Sequence, residues 1–246
     1  MDPTEFYHNI RTISGQRREN LIWSALSTNI PAWVTAFKPV TTTAKDATGK
    51  TRTFTMKVST DYLGVGDDTG YFRLPMWPGT AQRIADLLGC HLPTRRIVNR
   101  IYQDPTNVKL PPEPIRQEYF KREKFSMTSS RAFWEHNKMV DQHLPPTRDK
   151  TFAGHKKDIV ITPHCVSGHV AIYGWFDHGN VIQDLNCTSH SAWYVDYSHG
   201  VRLVQDIVTV DGVNMSLGTA LAHPAYHVLF SDEGVLDLAK LRYGSP

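Results

Sequence analysis

The sequence predicts an α+β protein in which N-terminal helices and a β-hairpin pack on a C-terminal antiparallel β-sheet. Three observations lead there. Apolar residues at helical spacing, flanked by capping residues, concentrate before Pro145 and Pro146. Short runs rich in Val, Ile and Tyr, separated by Gly, Asn or Asp, dominate from His155 onward. The two prolines mark the change between these patterns. The 246 residues are read as a single domain, 1–246, with a helical and hairpin region over residues 1–103, a Pro-rich connector and helix over 104–150, and a sheet region over 151–246.

The elements follow in chain order. "RRENLIWSAL" reads as a helix, broken before "NIPAW" because Pro31 lacks an amide hydrogen and restricts its neighbour. "TTTAKDATGKTRTFTMKVS" reads as a hairpin, with "ATGK" as its turn and polar–apolar alternation in "RTFTMKVS". "GVGDDTGYF" reads as a Gly/Asp loop without the GxGxxG spacing of a phosphate cradle. "WPGTAQRIADLLGC" predicts a helix with Thr80 as N-cap, an apolar face of Ile84, Leu87 and Leu88, and Gly89 at its close. "LPTRRIVNRIY" begins the next helix with Thr94 as N-cap, which leaves Cys90 in the joint. Residues 104–115 hold four of the fifteen prolines and read as an extended connector. "SSRAFWEHNKMVDQHL" is a helix capped by Ser129 or Ser130. "DIVIT", "HVAIYGWF", "NVIQDL", "WYVDYSH" and "VRLVQDIVTV" supply a four- or five-stranded antiparallel sheet, and a hairpin turn at Asp211 and Gly212 precedes closing helical pieces.

Composition narrows the functional classes. Hydrophobic residues at 40% and charged residues at 21% suit a packed chain, and a net charge of +3 implies no strong attraction for polyanions. The short basic segments "TRRIVNR" and "YFKREKF" read as wet faces of a helix or linker, so nucleic acid is not an expected partner. No apolar run reaches signal-peptide or membrane-span length. The chain is expected to be soluble, cytoplasmic or secreted after signal removal, with no membrane partner. Cys90, Cys165 and Cys187 are an odd number without CxxC spacing, which argues against a disulfide framework or a four-cysteine zinc site. A single Cys165–Cys187 disulfide would leave Cys90 free.

Twelve histidines, seven of them between His155 and His223, are the compositional pointer to chemistry. They centre on "SHSAWYVDYSHGVRLV". As a strand over 193–199 this stretch would place Trp193, Val195 and Tyr197 on one face and Tyr194, Asp196 and Ser198 on the other, bracketed by His190 and His199. An Asp beside a His fixes its tautomer and stabilises the imidazolium, as acid–base work requires. "GHKKDIVIT" adds His155 and Lys156 at a sheet edge, and Arg202 offers either a bidentate anion contact or packing over a tyrosine ring. Cys90 precedes a helix N-terminus and is the candidate nucleophile.

The stretch "GHVAIYGWFDHGNVIQDL", residues 168–185, resembles the His-bearing strand and following strand of NlpC-like and CHAP-type cysteine amidases, papain-like enzymes that cleave cell-wall peptide bonds. That resemblance implies His169 as base and Gln183 as its polar partner, although "LLGCHLPT" departs from the family's DCSG-like nucleophile motif. His190 and Asp196 resemble the HxxxxxxD half-site of zinc peptidases of the D-Ala-D-Ala carboxypeptidase type, one residue shorter. The combination "GHKKDIVIT", "VAIYGW" and "YVDYSHGVRLV" is similar to bacterial sequences that carry no assigned activity and implies none.

The expectation is a hydrolase of an amide or related acyl bond, acting on a small-molecule, peptide or glycan substrate. Cys90, His155, His190, Tyr194, Asp196 and His199 would be catalytic; Lys156, Trp175, Gln183, Ser198 and Arg202 would bind substrate. His199 or His155 is the base, Asp196 orients an imidazole, and Tyr194, Ser198 or Arg202 stabilises the oxyanion. No cofactor is expected. The alternatives are a zinc-dependent hydrolase using His190, His199 and a third ligand, a non-catalytic carbohydrate- or peptide-binding module using Trp175, Trp193, Tyr194 and Tyr197, and a lyase or isomerase using the Tyr, His and Lys groups.

Overall fold

The computed structural model describes residues 1–244; Ser245 and Pro246, within the expected domain span, lie outside the described residues. Helix α1 (Pro3–Ile10) starts where Asp2 accepts the Glu5 amide and proline occupies the first turn. It and α2 (Gly15–Thr28) bury Phe6, Ile10, Ile22 and Leu26. Strands β1 (Lys38–Lys45) and β2 (Thr51–Val58) form the expected hairpin. Asp46 organises its turn, accepting from the Thr48 and Lys50 amides at 2.8 and 3.1 Å. The segment expected as a Gly/Asp loop is instead a second hairpin, β3 (Gly64–Asp67) and β4 (Gly70–Arg73). Asp67 takes the Thr69 and Gly70 amides in its turn, and Gly66, at φ 124°, adopts a backbone that side-chain-bearing residues avoid.

Helix α3 (Pro78–Leu87) is capped at Trp77, not Thr80, because Pro78 presets its first turn. Gly89, at φ +61°, turns the chain into β5 (Cys90–His91). Thr94 caps α4 (Arg95–Gln103) as expected, accepting the Ile97 amide at 3.2 Å. The connector holds β6 (Val108–Lys109) and leads to α5 (Gln117–Glu123), a short helix without a side-chain cap that the sequence pattern did not announce. Ser129 caps α6 (Ser130–Asp141), and β7 (Phe152–Ala153) pairs in parallel with β6.

The strands after Lys156 divide between two sheets. β8 (Lys157–Ile159), β9 (Ile172–Asp177), β10 (Asn180–Asn186) and β11 (His199–Gly200) form a sheet of order β10-β9-β8-β11, parallel only between β8 and β11. β12 (Val204–Gln205), β13 (Ile207–Val210) and β14 (Val213–Ser216) instead join the N-terminal hairpin in a six-stranded sheet of order β14-β13-β2-β12-β5, with β1 on β2. The hairpin thus hydrogen-bonds into the sheet of the last strands. Asp211 and Gly212, both at positive φ, make the expected turn. Helices α7 (Leu217–Ala222) and α8 (His227–Phe230) then cover the six-stranded sheet through Leu221, Leu229 and Phe230.

The class is α+β, as predicted, with one correction that matters for function. Residues 193–198 are not a strand, and of the expected 193–199 span only His199 enters one, β11. The Asp196 carboxylate accepts both the Ser198 amide at 2.8 Å and its hydroxyl at 2.5 Å, and the Tyr194 amide donates to the Ser191 carbonyl. Local side-chain bonds therefore outcompete the ladder. Val195, Tyr197, Asp196 and Ser198 are all buried, while Trp193 is 56% exposed. One apolar cluster runs from Phe6 and Ile10 through Phe72 and Ile84 to Ile159, Ile172 and Leu203, joining N- and C-terminal segments. Among the described residues no helix is long and apolar enough to cross a membrane.

Candidate active site

Two groups of buried polar side chains flank the start of β8. The inner group centres on Asp61, in the turn between β2 and β3. Its carboxylate accepts from Tyr71 Oη at 2.5 Å, Arg73 Nε at 3.0 Å, Arg73 Nη2 at 2.8 Å and His155 Nε2 at 3.1 Å. Arg73 continues to Asn137 at 3.0 Å and Asp141 at 2.8 Å, which ties the β3–β4 hairpin to α6. Burial works to raise the Asp61 carboxyl, and Arg73 with His155 overcomes it, holding the group well below the usual carboxylate range. Burial lowers His155 to about 4 despite Asp61, so its imidazole is neutral at pH 7.

The same inner layer holds three more of the expected site residues. Lys156 donates to the Tyr197 carbonyl at 2.5 Å and to His136 Nδ1 at 3.0 Å, and His136 Nε2 meets the Pro112 carbonyl at 2.9 Å. This chain fixes the His136 tautomer with hydrogen on Nε2. Burial brings Lys156 down to about 7. Trp175 donates to the same Pro112 carbonyl at 2.8 Å. Arg202 gives its guanidinium hydrogens to the Ser59 and Phe152 carbonyls at 2.8 and 2.6 Å and lies 4.3 Å over the Tyr62 ring. His155, Lys156, Trp175 and Arg202 are all buried. Their polar atoms are largely spent on the protein itself, so the packing alternative for Arg202 is the one realised.

The outer group brings together His190, Tyr194, Asp196, Ser198 and His199. His199 opens β11 opposite Lys157 and is fully buried. Neither ring nitrogen has a hydrogen-bond partner among the described residues. Its Nε2 stands 3.9 Å from Asp196 Oδ2, whose other contact is the Tyr194 hydroxyl, donating at 3.0 Å. His190 stacks on Tyr194 with ring centroids 4.1 Å apart, and these two rings lie 6.2 and 5.8 Å from the His199 ring. Lys157, half-buried, places its ammonium 4.9 Å over Trp175. Burial lowers His199 to about 4, with Asp196 opposing. Burial likewise lowers Lys157, again opposed by Asp196. Burial works to raise Asp196, but His199, Ser198 and Lys157 more than offset it, so the carboxylate stays ionised. The arrangement is a neutral, unpartnered imidazole beside a carboxylate and a cation, reached past two partly exposed rings.

Other expected residues do not join this group. Cys90 lies in β5 opposite Gln205, its thiol donating to the Leu88 carbonyl at 3.4 Å. Burial, and then Asp206, pushes it up to about 11, and no histidine nitrogen hydrogen-bonds it. A protonated thiol at that position lacks what a nucleophile needs. His169 bridges to Ser191, whereas Gln183 pairs with Gly174. Five positions along the chain from His169 to Gly174 correspond to roughly 16 Å of strand, so these two are not brought together. No group of three or more His, Cys, Asp or Glu side chains among the described residues is arranged to hold a metal, which leaves His190 and His199 without a third zinc ligand. The four-ring binding platform does not assemble either, since Trp175 and Tyr197 are in the core.

Of the two lysines that follow His155, the sequence singles out Lys156, whereas in the structure it is Lys157 that lies opposite His199. The signal was the parallel pairing of β8 with a strand opening at His199, which is non-local. A cavity of about 470 Å³ is lined by Trp193, His169, Cys165 and Tyr243 and not by His199. The 190–194 segment separates the two: Ala192 and Trp193 face the cavity, His190 and Tyr194 face His199. No family model, no curated protein and no solved structure matches the chain. The fold and the candidate site are those of an α+β protein with a buried imidazole and a carboxylate beneath a stacked His–Tyr pair, beside the strand that carries Lys157.

Proposed function

We propose that this chain hydrolyses an amide or related acyl bond of a peptide- or cell-wall-like substrate, with water as nucleophile. The observation that carries the reading is His199: a fully buried imidazole with both nitrogens unpartnered, 3.9 Å from an ionised carboxylate. Other buried side-chain atoms here also lack a partner, His155 Nδ1 and Arg202 Nε among them, but among the described residues His199 alone has two such atoms. A buried polar group left wholly unpaired calls for an explanation, and proton transfer is one. In this mechanism His199 removes the proton of the attacking water and returns it to the leaving amine or alcohol. Asp196 stabilises the transient imidazolium. The Lys157 ammonium, freed from its rest over Trp175, neutralises the oxyanion, the role that Arg202 and Ser198 are too engaged to fill.

Substrate entry displaces the stacked His190 and Tyr194 rings. Water arriving beside Asp196 then relieves some of the burial penalty, and the His199 pKa rises from about 4 toward its ordinary range, where it is an effective base. Cys90 has no role in this scheme.

The test is hydrolysis of peptide anilides, peptide esters and cell-wall fragments by the wild-type chain and by His199→Gln and Lys157→Gln. Each substitution should lower kcat/KM by about 100-fold or more while the circular dichroism spectrum is retained. Wild-type turnover that survives in His199→Gln, or the absence of any turnover across the panel, sinks the proposal.

A further inference from the structure

We infer that Cys165 and Cys187 are a dithiol site that a low-molecular-weight disulfide, such as oxidised glutathione, converts into an intramolecular disulfide, fixing the loop that walls the 470 Å³ cavity. The site is independent of the His199 chemistry.

The two cysteines are 22 residues apart in sequence, and the β9–β10 hairpin carries the chain back so that they meet. Asn186 pairs with Ile172, the Val170 amide donates to His190, and the Ala192 amide donates to Gly168. These bonds hold the segment before β9 against the segment after β10. Cys165 Sγ lies 3.7 Å from the Cys187 carbonyl, and Cys187 Sγ lies 3.3 Å from the carbonyl of His164, the residue preceding Cys165. Each sulfur thus rests on the backbone at or beside the other cysteine, and the two thiols face one another. Burial and the facing Cys187 thiol also push the Cys165 thiol up to about 11. Both residues are half-buried, so a small disulfide reaches them, whereas Cys90 is buried in another sheet.

The chemistry balances without further partners. Cys187, the less enclosed partner beyond the end of β10, makes the first attack: it loses its proton, breaks the S–S bond of the small disulfide and releases one small thiolate. Cys165 then gives up its proton and attacks the Cys187 sulfur, releasing the second small thiolate. Two protein thiols are oxidised, one small disulfide is reduced to two thiols, and the protons end on the released sulfurs. Closure ties Cys165, and with it Pro163, Val166 and His169 of the cavity wall, to the end of β10.

The full chain is incubated under native conditions with oxidised glutathione and analysed by intact mass and peptide mapping. The product should be about 2 Da lighter than the reduced chain, with a Cys165–Cys187 cross-link and a free Cys90. Cys90→Ser should behave the same way, and Cys165→Ser should instead carry one glutathione on Cys187. In the Cys90→Ser background, oxidation should raise Tm by roughly 5–10 °C, because the bond closes the loop around the hairpin. A wild-type chain that gains only glutathione adducts, stays reduced, or cross-links through Cys90 overturns the inference; an unchanged Tm overturns the claim that the bond fixes the loop.

Discussion

The inner and outer polar groups on either side of β8 are built from the same residue types and differ in how their bonds are spent. Around Asp61 the carboxylate takes bonds from tyrosine, arginine and histidine, and Arg73 carries the network on to Asn137 and Asp141. Around Asp196 the carboxylate is served by Ser198 and Tyr194, while the adjacent imidazole has no bond at either nitrogen. The inner group also has unpaired atoms, His155 Nδ1 and Arg202 Nε, but both side chains keep other bonds, whereas His199 has none at either nitrogen. A side chain bonded on most sides fixes a fold, and one with no bond is available to something outside the chain. The proposed site follows the second, and the region with the greater density of charge is read as stabilising.

The strongest way to break that assignment is to open the closed network. Asp61→Ala leaves Arg73 and His155 buried without their shared acceptor. Loss of one partner from a buried charged pair costs about 3–5 kcal/mol, and most of the chain's stability should go with it. Urea unfolding followed by circular dichroism measures this. A chain that retains wild-type stability but loses catalysis would move the active site to Asp61 and reverse the roles of the two regions.

A smaller, graded effect comes from pH. His155 and His199 have folded pKa values of about 4 against an ordinary 6.5, and His136 is shifted in the same direction, all by burial. A histidine depressed in the folded state leaves the unfolded chain to take up the proton first, so stability is present above 6.5 and is lost as pH falls toward 4. Asp158 opposes this. Burial raises it to about 7 from 3.8, so its contribution is present below 3.8 and is lost as pH rises toward 7. His190 is also lowered by burial and Glu19 is raised by it, so four histidines against two carboxylates give a net loss on acidification, on the order of 1 kcal/mol per pH unit for each uncompensated proton. Urea midpoints should therefore fall between about pH 7 and about pH 4.5, and the slope should shrink by about one proton in His199→Leu if that ring is neutral and buried. An unchanged slope would place His199 in water.

How much of this was legible in the sequence follows from what each feature depends on. The first hairpin, the Thr94 and Ser129 caps, Gly89 and the Asp211–Gly212 turn are local, and each was readable from a few adjacent residues. The β3–β4 hairpin was hidden because its glycines resemble loop composition, although Asp67 and Gly70 supply its turn. The expected strand over 193–199 failed because alternation cannot reveal that Asp196 folds back on Ser198. That His190, Tyr194, Asp196 and His199 lie together was readable because they share one short stretch. Lys157 was not distinguished from Lys156, since burial of one and partial exposure of the other is decided by the parallel pairing with β11, far along the chain. The surroundings of Cys90 were not readable for the same reason: the helix joint that made it attractive is also where β5 enters the six-stranded sheet opposite Gln205, with the adjacent His91 imidazole bonded to Asp206 and the thiol to the Leu88 carbonyl.

The finest discrimination between the two regions is a pair of identical substitutions. His155→Leu removes a donor from Asp61 and leaves that buried carboxylate one bond short, a loss of about 1.5–3 kcal/mol for a hydrogen bond to a charged group. His199→Leu removes an imidazole that has no bonds to lose and replaces it with an apolar side chain of similar reach, a change that is close to neutral or stabilising when the deleted polar atoms were unpaired. The expected pattern is a lowered Tm with His155→Leu, and an equal or raised Tm with hydrolysis abolished in His199→Leu. This is the signature of a position kept for function against stability. Equal destabilisation by both would mean that His199 is as thoroughly bonded as His155, and the open network on which the site rests would be closed.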